Sequence, residues 1–269
     1  MILDDILASK RRELDAARTT LPLEELQRRV PTRRVTRGFR EALTSGDHRP
    51  ALVAELKRKS PSRGMLRERF DPVRLAQELE AAGAAALSVL TDESYFGGHL
   101  EFLRDAHQFT EIPTLRKDFI IDPYQVYEAA HAQADALLLI VAALTEPRLA
   151  ELIRLTEHVG LDALVEVHSD AELQTALRAG AQTIGINHRD LRTFTMDMTL
   201  SARLVPQIPR GRVIVAESGI HTPDDVRRLR DLGVHALLIG ESLMVAPDPA
   251  TKVRELFTDA WSSDEQPAH

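Results

Sequence analysis

Glu55 and Lys57 stand two residues apart at the close of an apolar run, in the stretch ALVAELKRKSPSRG. A β-strand sends residues i and i+2 to one face, so a carboxylate and an ammonium share one side of one strand end. Burying such a pair costs several kcal/mol of desolvation, which points to chemistry rather than packing as the reason for it. The turn that follows offers Ser60, Pro61, Ser62 and Gly64, hydroxyls and kinked backbone N–H groups suited to an anion such as phosphate. Similar groups close other apolar runs: Arg116, Lys117 and Asp118; Glu166 and His168; Asn187; and Glu217, Ser218 and Gly219. Gly240 and Glu241 follow one more. Lysines and carboxylates so arranged can work as general acids and bases.

The elements that must position these residues repeat along the chain. QELEAAGAAALSVL, QTALRAGAQTIGIN and RRLRDLGVHALLIG each read as helix, glycine, apolar strand. The same unit predicts eight strands, near 51–57, 85–90, 112–117, 135–142, 162–167, 183–187, 212–217 and 234–240. Amphipathic helices fall between them, for example over 99–109, 123–133, 146–159, 170–179, 200–205 and 223–232. Asp71 and Pro72 read as N-cap and first residue of a helix that Gly83 ends. Near-continuous apolar strands such as ADALLLIVAA suit a parallel sheet covered by helices. Eight alternating units favour a closed barrel over an open doubly wound sheet, and no GxGxxG follows the first strand to argue for a dinucleotide fold. The expected fold is therefore α/β, a single (β/α)8 TIM barrel over 49–262. Helices near 2–17 and 21–30 precede it in an N-terminal extension, 1–48, and a polar tail, 263–269, follows. In such a barrel the reacting groups lie at the C-terminal ends of the strands, where every group named above falls. Gly219 and Gly240, on the adjacent seventh and eighth strands, mark the usual phosphate position, with Ser60 beside them once the barrel closes.

Bulk properties exclude several classes. The 269 residues are 43% hydrophobic and carry a net charge of -7, so a full core is affordable and a basic nucleic-acid face is not expected. No cysteine is present, which removes disulfides, thiolate nucleophiles and Cys-ligated zinc and suits a reducing compartment. MILDDILASKRRELD lacks the basic start and apolar core of a signal peptide, and no apolar run reaches the roughly 18 residues of a membrane span. A soluble cytoplasmic protein is expected. The chain ends soon after the eighth helix, and no further domain is expected there. Arg33, Arg34, Arg37 and Arg40 read as a solvated face that could also greet an anionic substrate. His99 and His168 lack partners at metal-ligand spacing, and no metal is expected. The oligomeric state is not fixed by the sequence, with which a monomer is compatible.

ALVAELKRKSPSRG, SVLTDESYFGGHLEFL, TLRKDFIIDPYQ, LVEVHSDAEL, IGINHRDLRTF, VAESGI and LLIGESLM together resemble the indole-3-glycerol phosphate synthase family, over about residues 50 to 245. ELKRKSPS combined with LRKDFI is the specific part; AESGI also occurs in related phosphate-binding barrels. The resemblance implies a carboxy-lyase that closes the ring of 1-(2-carboxyphenylamino)-1-deoxyribulose 5-phosphate, losing carbon dioxide and water, with no cofactor. It implies Lys117 as general acid, Lys57 as partner of the anthranilate carboxylate, and Glu55 as the group that orients and tunes both lysines. Glu166 would be the base of the final dehydration, with Asn187 and Glu217 on substrate hydroxyls. Ser60, Ser218, Gly219, Gly240 and the Glu241 backbone would receive phosphate, and Phe96, Phe119 and Leu191 would surround the aromatic ring. Lys57 is expected to lower the pKa of Lys117, and the Glu241 carboxylate to point away from the phosphate. His188 departs from the Asn, Ser or Arg the family often has after this Asn. Two alternatives stay open: another phosphate-binding barrel, such as phosphoribosylanthranilate isomerase or the tryptophan synthase α subunit, and a barrel that binds without catalysing. The first leaves Lys57 and Lys117 without a role, and the second leaves them and Glu166 unexplained.

Overall fold

The computed structural model of the chain describes residues 2–30, 35–46, 50–258, 260 and 261. Eight parallel strands close into a barrel: β1 (Ala51–Leu56), β2 (Ala86–Leu90), β3 (Thr114–Lys117), β4 (Ala136–Ile140), β5 (Asp162–Val167), β6 (Thr183–Asn187), β7 (Val213–Glu217) and β8 (Ala236–Ile239). β8 returns to pair with β1, Ala51 opposite Ala236. The strands match the expected positions, most with slightly shorter bounds, chiefly at their N-terminal ends, where the apolar run begins before the strand pairs with its neighbours.

Period-two alternation sorts each strand by layer. Leu52, Ala54, Leu56, Leu137, Leu139, Ile184, Ile186 and Leu237 face outward into one core with the helices. Ala51, Val53, Ala136, Leu138, Leu164, Val213, Val215, Ala236 and Leu238 face inward and fill the barrel. The next inward positions along these strands are Glu55, Glu166 and Glu217, while Leu115 is followed by Lys117. The alternation that packs the bottom of the barrel with aliphatic side chains thus places charge at its mouth.

The outer helices start on sequence-coded caps. Asp71 accepts from the Arg74 N–H at 3.1 Å at the start of α4 (Pro72–Ala81). Capping boxes open α7 (Pro123–His131) and α11 (Pro223–Asp231), each with proline in the first turn, where its missing N–H costs nothing. Gly83, at φ 101°, takes the left-handed turn after α4. The helices α6 (Leu100–Phe109), α8 (Glu146–His158), α9 (Asp170–Arg178) and α13 (Pro249–Phe257) complete the outer layer with shorter α10 (Leu200–Leu204), and the short helix α12 (Glu241–Met244) follows β8.

Among the described residues three helices precede the barrel: α1 (Ile2–Thr20), α2 (Leu23–Arg29) and α3 (Phe39–Ser45). α3 was not legible as a helix; its fully buried Phe39 and Leu43 join the inward-facing cluster with Ala51, Val213 and Ala236 at the N-terminal end of the strands. Arg37 belongs to the same end. Its guanidinium donates to the carbonyls of Ile112 and His107 at 3.0 and 2.8 Å, and its N–H to Asp135 Oδ1 at 3.0 Å. Arg40 likewise donates its backbone N–H to Asp162, the first residue of β5. The expectation that these arginines could greet an anionic substrate is corrected: Arg37 and Arg40 fasten the extension to the end of the barrel opposite the charged mouth. Arg33 and Arg34, and the tail 263–269, lie outside the described residues. No helix among the described residues is long and apolar enough to cross a membrane.

Candidate active site

At the C-terminal end of the strands a cleft of ≈ 940 Å³, counted out to its open mouth, is lined by every residue to which the family resemblance gives a role. Glu55, one residue before the end of β1, faces inward, and Lys57 Nζ lies 2.6 Å from its Oε1. Lys117, at the end of β3, reaches across the mouth: its Nζ is 2.8 Å from Glu166 Oε2 on β5 and 3.2 Å from Glu217 Oε2 on β7. Asn187 pairs in register with Glu217, and its Oδ1 accepts from the Arg189 N–H at 3.0 Å.

Around this polar floor the loops divide into two kinds. Ser60, Ser218, Gly219, Gly240 and Glu241 come from the loops after the neighbouring strands β1, β7 and β8. Ser60 lies just before a small turn, where Lys59–Ser60 pairs with Gly64–Met65, and its Oγ accepts from the Arg63 N–H at 3.3 Å. Phe96, from the short helix α5 (Glu93–Phe96), and Phe119, with ring centroids 6.2 Å apart, supply apolar wall together with Leu191. Gly219 has φ 75°, and a Cβ there would come within 2.3 Å of Met198 Sδ and 2.8 Å of Met196 Cε, so the loop after β6 lies directly over it. Gly240 serves a further purpose, since a Cβ on it would lie 2.3 Å from Glu55 Oε1. The carboxylate of Glu241 is neutralised by guanidinium groups, at 2.7 Å from Arg63 Nη1 and 3.5 Å from Arg189 Nη2.

The electrostatics of the two central groups run in opposite senses. Burial alone would push the Lys117 pKa down, but Glu166, Glu217 and Glu55 outweigh it and hold the ammonium above the ordinary lysine range. The expectation that its pKa is lowered toward neutrality by Lys57 is therefore corrected: three carboxylates around Lys117 dominate, and Lys57 spends its own charge on Glu55. Glu217 goes the other way. Its burial pushes the carboxyl up, Lys117 opposes, and Glu166 and Glu55 add to the rise, leaving it at about 8. Its Oε1 is buried and has no hydrogen-bond partner among the described residues.

Other groups expected at the mouth are used elsewhere. Arg116 alternates out of the barrel and is buried beneath α7, with Nη2 2.7 Å from Glu128 and 3.1 Å from Asp118. His168 bonds the Asn187 carbonyl through Nδ1 at 2.7 Å and does not line the cleft. His99 caps α6, its Nδ1 accepting from the Glu101 N–H. No group of three or more His, Asp or Glu among the described residues could hold a metal ion.

Sequence reasoning missed Arg189, Phe194 and Lys10. Arg189 and Phe194 line the cleft from the loop after β6. Lys10 lies behind it, with Nζ 2.9 Å from Asp118 Oδ1, 3.1 Å from Asp92 Oδ2 and 2.6 Å from Glu13 Oε2, and is almost fully buried. Asp118 follows Lys117, and Asp92 caps the helix that carries Phe96, so one lysine of α1 braces two walls of the cleft. The signal was present: Lys10 interrupts an apolar stripe of Leu3, Ile6, Leu7 and Leu14 on the helix face turned to the barrel.

A closed (β/α)8 barrel with a charged cleft at the strand C-termini, carrying a lysine between two carboxylates, is the architecture of a barrel enzyme. Solved structures share that architecture. 3-Hexulose-6-phosphate synthase from Salmonella typhimurium matches with a TM-score of 0.62 at 14% identity, over 77% of this chain and 97% of that one. A mutant tryptophan synthase alpha-subunit from Pyrococcus furiosus matches with a TM-score of 0.60 at 12% identity, over 77% of this chain and 98% of that one. These likenesses carry the fold alone. The family model for indole-3-glycerol phosphate synthase matches residues 3–256. Proteins of that name are similar nearly end to end: one from Acidithiobacillus ferrooxidans is 47% identical, covering 96% of this chain and 99% of its own. Another, from a Roseiflexus species, is 48% identical, covering 95% of this chain and 97% of its own. The chain belongs to the indole-3-glycerol phosphate synthase family.

Proposed function

We propose that the protein is a carboxy-lyase of tryptophan biosynthesis, closing the ring of 1-(2-carboxyphenylamino)-1-deoxyribulose 5-phosphate to give indole-3-glycerol phosphate, carbon dioxide and water. The observation that carries the reading is Lys117 held between Glu166 and Glu217 in a cleft that also contains Lys57 and an apolar wall. The reacting ring carbon attacks the ribulose carbonyl, and the new carbon–carbon bond leaves electron density on the carbonyl oxygen. Lys117, kept protonated by its carboxylates, supplies the proton there. Lys57 holds the substrate carboxylate until the carbon–carbon bond to it breaks and its electrons return to the aromatic ring. Loss of the new hydroxyl as water then moves one proton: Glu166 takes it from the substrate carbon and passes it to the departing hydroxide, while the Lys117 amine, 2.8 Å from Glu166, regains its own proton from solvent.

The remaining residues bind. Glu55 keeps Lys57 oriented, and Asn187 and Glu217 meet substrate hydroxyls. Ser60, Ser218, Gly219, Gly240 and the Glu241 backbone receive the phosphate, with Arg63 and Arg189 offsetting the Glu241 carboxylate beside it. Phe96, Phe119 and Leu191 enclose the anthranilate ring. The N-terminal helices and barrel act as one unit, in the cytoplasm, on a small phosphorylated substrate and without a cofactor. Purified protein, treated with a chelator and given this substrate alone, should form the indole product and carbon dioxide in equal amounts. Substrate isomerised without carbon dioxide release, or bound without conversion, would point to one of the other two readings.

A further inference from the structure

We propose that His188 is a positioning residue for the phosphate end of the cleft, its imidazole tethering the Ser218 carbonyl and thereby fixing the turn of Ser218 and Gly219. This rests on the reading above that the turn receives the substrate phosphate. His188 touches no part of the cleft: it is fully buried and is absent from the lining. Its Nδ1 lies 2.9 Å from the Ser218 carbonyl oxygen, and its Nε2 lies 2.7 Å from Ser201 Oγ in α10.

Those two partners define the ring's protonation. A carbonyl oxygen can only accept, so Nδ1 carries the proton; Nε2 is then the acceptor, and the Ser201 hydroxyl donates to it. Burial favours the neutral ring and lowers the His188 pKa, the nearby Arg228 and His168 act in the same sense, and the Ser218 carbonyl and Asp197 oppose them. A single neutral tautomer therefore holds two elements at once.

The turn needs such a tether. Ser218 and Gly219 both sit in the left-handed region, at φ 68° and 75°, and for a serine that conformation is unfavourable by itself. The surroundings must hold it. His188 grips the Ser218 carbonyl from one side, and Ser242 Oγ donates to the Ile220 carbonyl at 2.9 Å from the other. The backbone of His188 extends the brace, donating to the Glu217 carbonyl at 3.0 Å and accepting from the Asp197 N–H at 2.8 Å. Asp197 lies between Met196 and Met198, which cover Gly219. His188 thus ties the floor of the phosphate end to the loop above it.

The test separates the two ring nitrogens. In His188→Asn the amide can stand in for Nδ1–H and keep the bond to Ser218, whereas in His188→Gln it stands in for the Nε2 side and leaves the Ser218 carbonyl unpaired. Steady-state kinetics on the full chain would be combined with the inhibition constant of inorganic phosphate against the substrate. His188→Gln should raise KM and the phosphate inhibition constant together, roughly tenfold, with kcat changed by less than about threefold. His188→Asn should restore both constants to within about threefold of the parent. Should His188→Gln fail to fold, Ser201→Ala, which frees the ring from α10, should move the same two constants in the same direction by less. Equal shifts in the Asn and Gln variants, or a fall in kcat with the phosphate constant unmoved, would overturn the role of His188. If phosphate failed to compete even in the parent protein, the phosphate assignment would fall, and this inference with it.

Discussion

Gly185 and Glu217 face each other on neighbouring strands so closely that a Cβ on Gly185 would lie 2.2 Å from Glu217 Oε1. The missing side chain on β6 is the space in which the carboxylate of β7 sits. Gly185→Ala would force Glu217 away from Lys117 or push the two strands apart. Overpacking of this kind costs roughly 1–3 kcal/mol. Urea unfolding should show that loss, and kcat should fall with it. A Gly185→Ala protein with unchanged stability and turnover would contradict this packing.

Glu217 also makes stability depend on pH. Its carboxyl ionises near its ordinary value in the unfolded chain and at about 8 in the folded one. Between those values the unfolded state has lost a proton that the folded state keeps, so stability falls as pH rises through this window and levels off above it. Glu217→Gln removes the titration. Its stability relative to the parent should therefore increase from about pH 5 to about pH 8, by on the order of a few kcal/mol, and then stay constant. Urea midpoints measured across that range decide it; a difference independent of pH would place the Glu217 pKa outside the window.

Lys10 is the part of α1 on which the site leans. Lys10→Met keeps the length of the side chain but leaves Asp92 and Asp118 without their ammonium, although Arg116 still faces Asp118. Breaking a buried pair from one side costs roughly 3–5 kcal/mol. Lys10 and Arg116 overcome burial to hold the Asp118 carboxyl well below its ordinary range, so its contribution to stability is present above that range and lost as pH falls through it. The variant should lose stability at neutral pH and show a shallower decline in acid. Equal losses at all pH values would mean that Lys10 acts by packing alone.

The barrel was legible because its code is local and repeated: helix, glycine, apolar strand, with Asp–Pro or Thr–Pro caps. Legibility of the site followed from parity, since Glu55, Lys117, Glu166, Asn187 and Glu217 each continue an inward-facing register. Parity also exposes an error, because Arg116 lies one residue out of phase and goes under α7. What was not legible depends on contacts distant in sequence. Arg37 meets Asp135 across 98 residues and Lys10 meets Asp118 from another helix, and nothing near either residue names its partner. The same holds for charge balance at Lys117: the sequence suggested Lys57 as its neighbour, whereas closure of the barrel surrounds it with Glu166, Glu217 and Glu55.

The central claim is that Lys117 delivers the proton that makes ring closure possible, and the most direct measurement is single-turnover ring closure by Lys117→Ala together with its affinity for the substrate. An acid that acts in the transition state contributes to rate far more than to binding. The rate should fall by roughly 10²–10⁴-fold while the dissociation constant stays within about threefold. Lys57→Ala, measured beside it, should instead weaken binding as well as slow the reaction, because it removes the counter-charge of the carboxylate. Near-normal ring closure by Lys117→Ala would contradict the account, whatever the behaviour of the other residues.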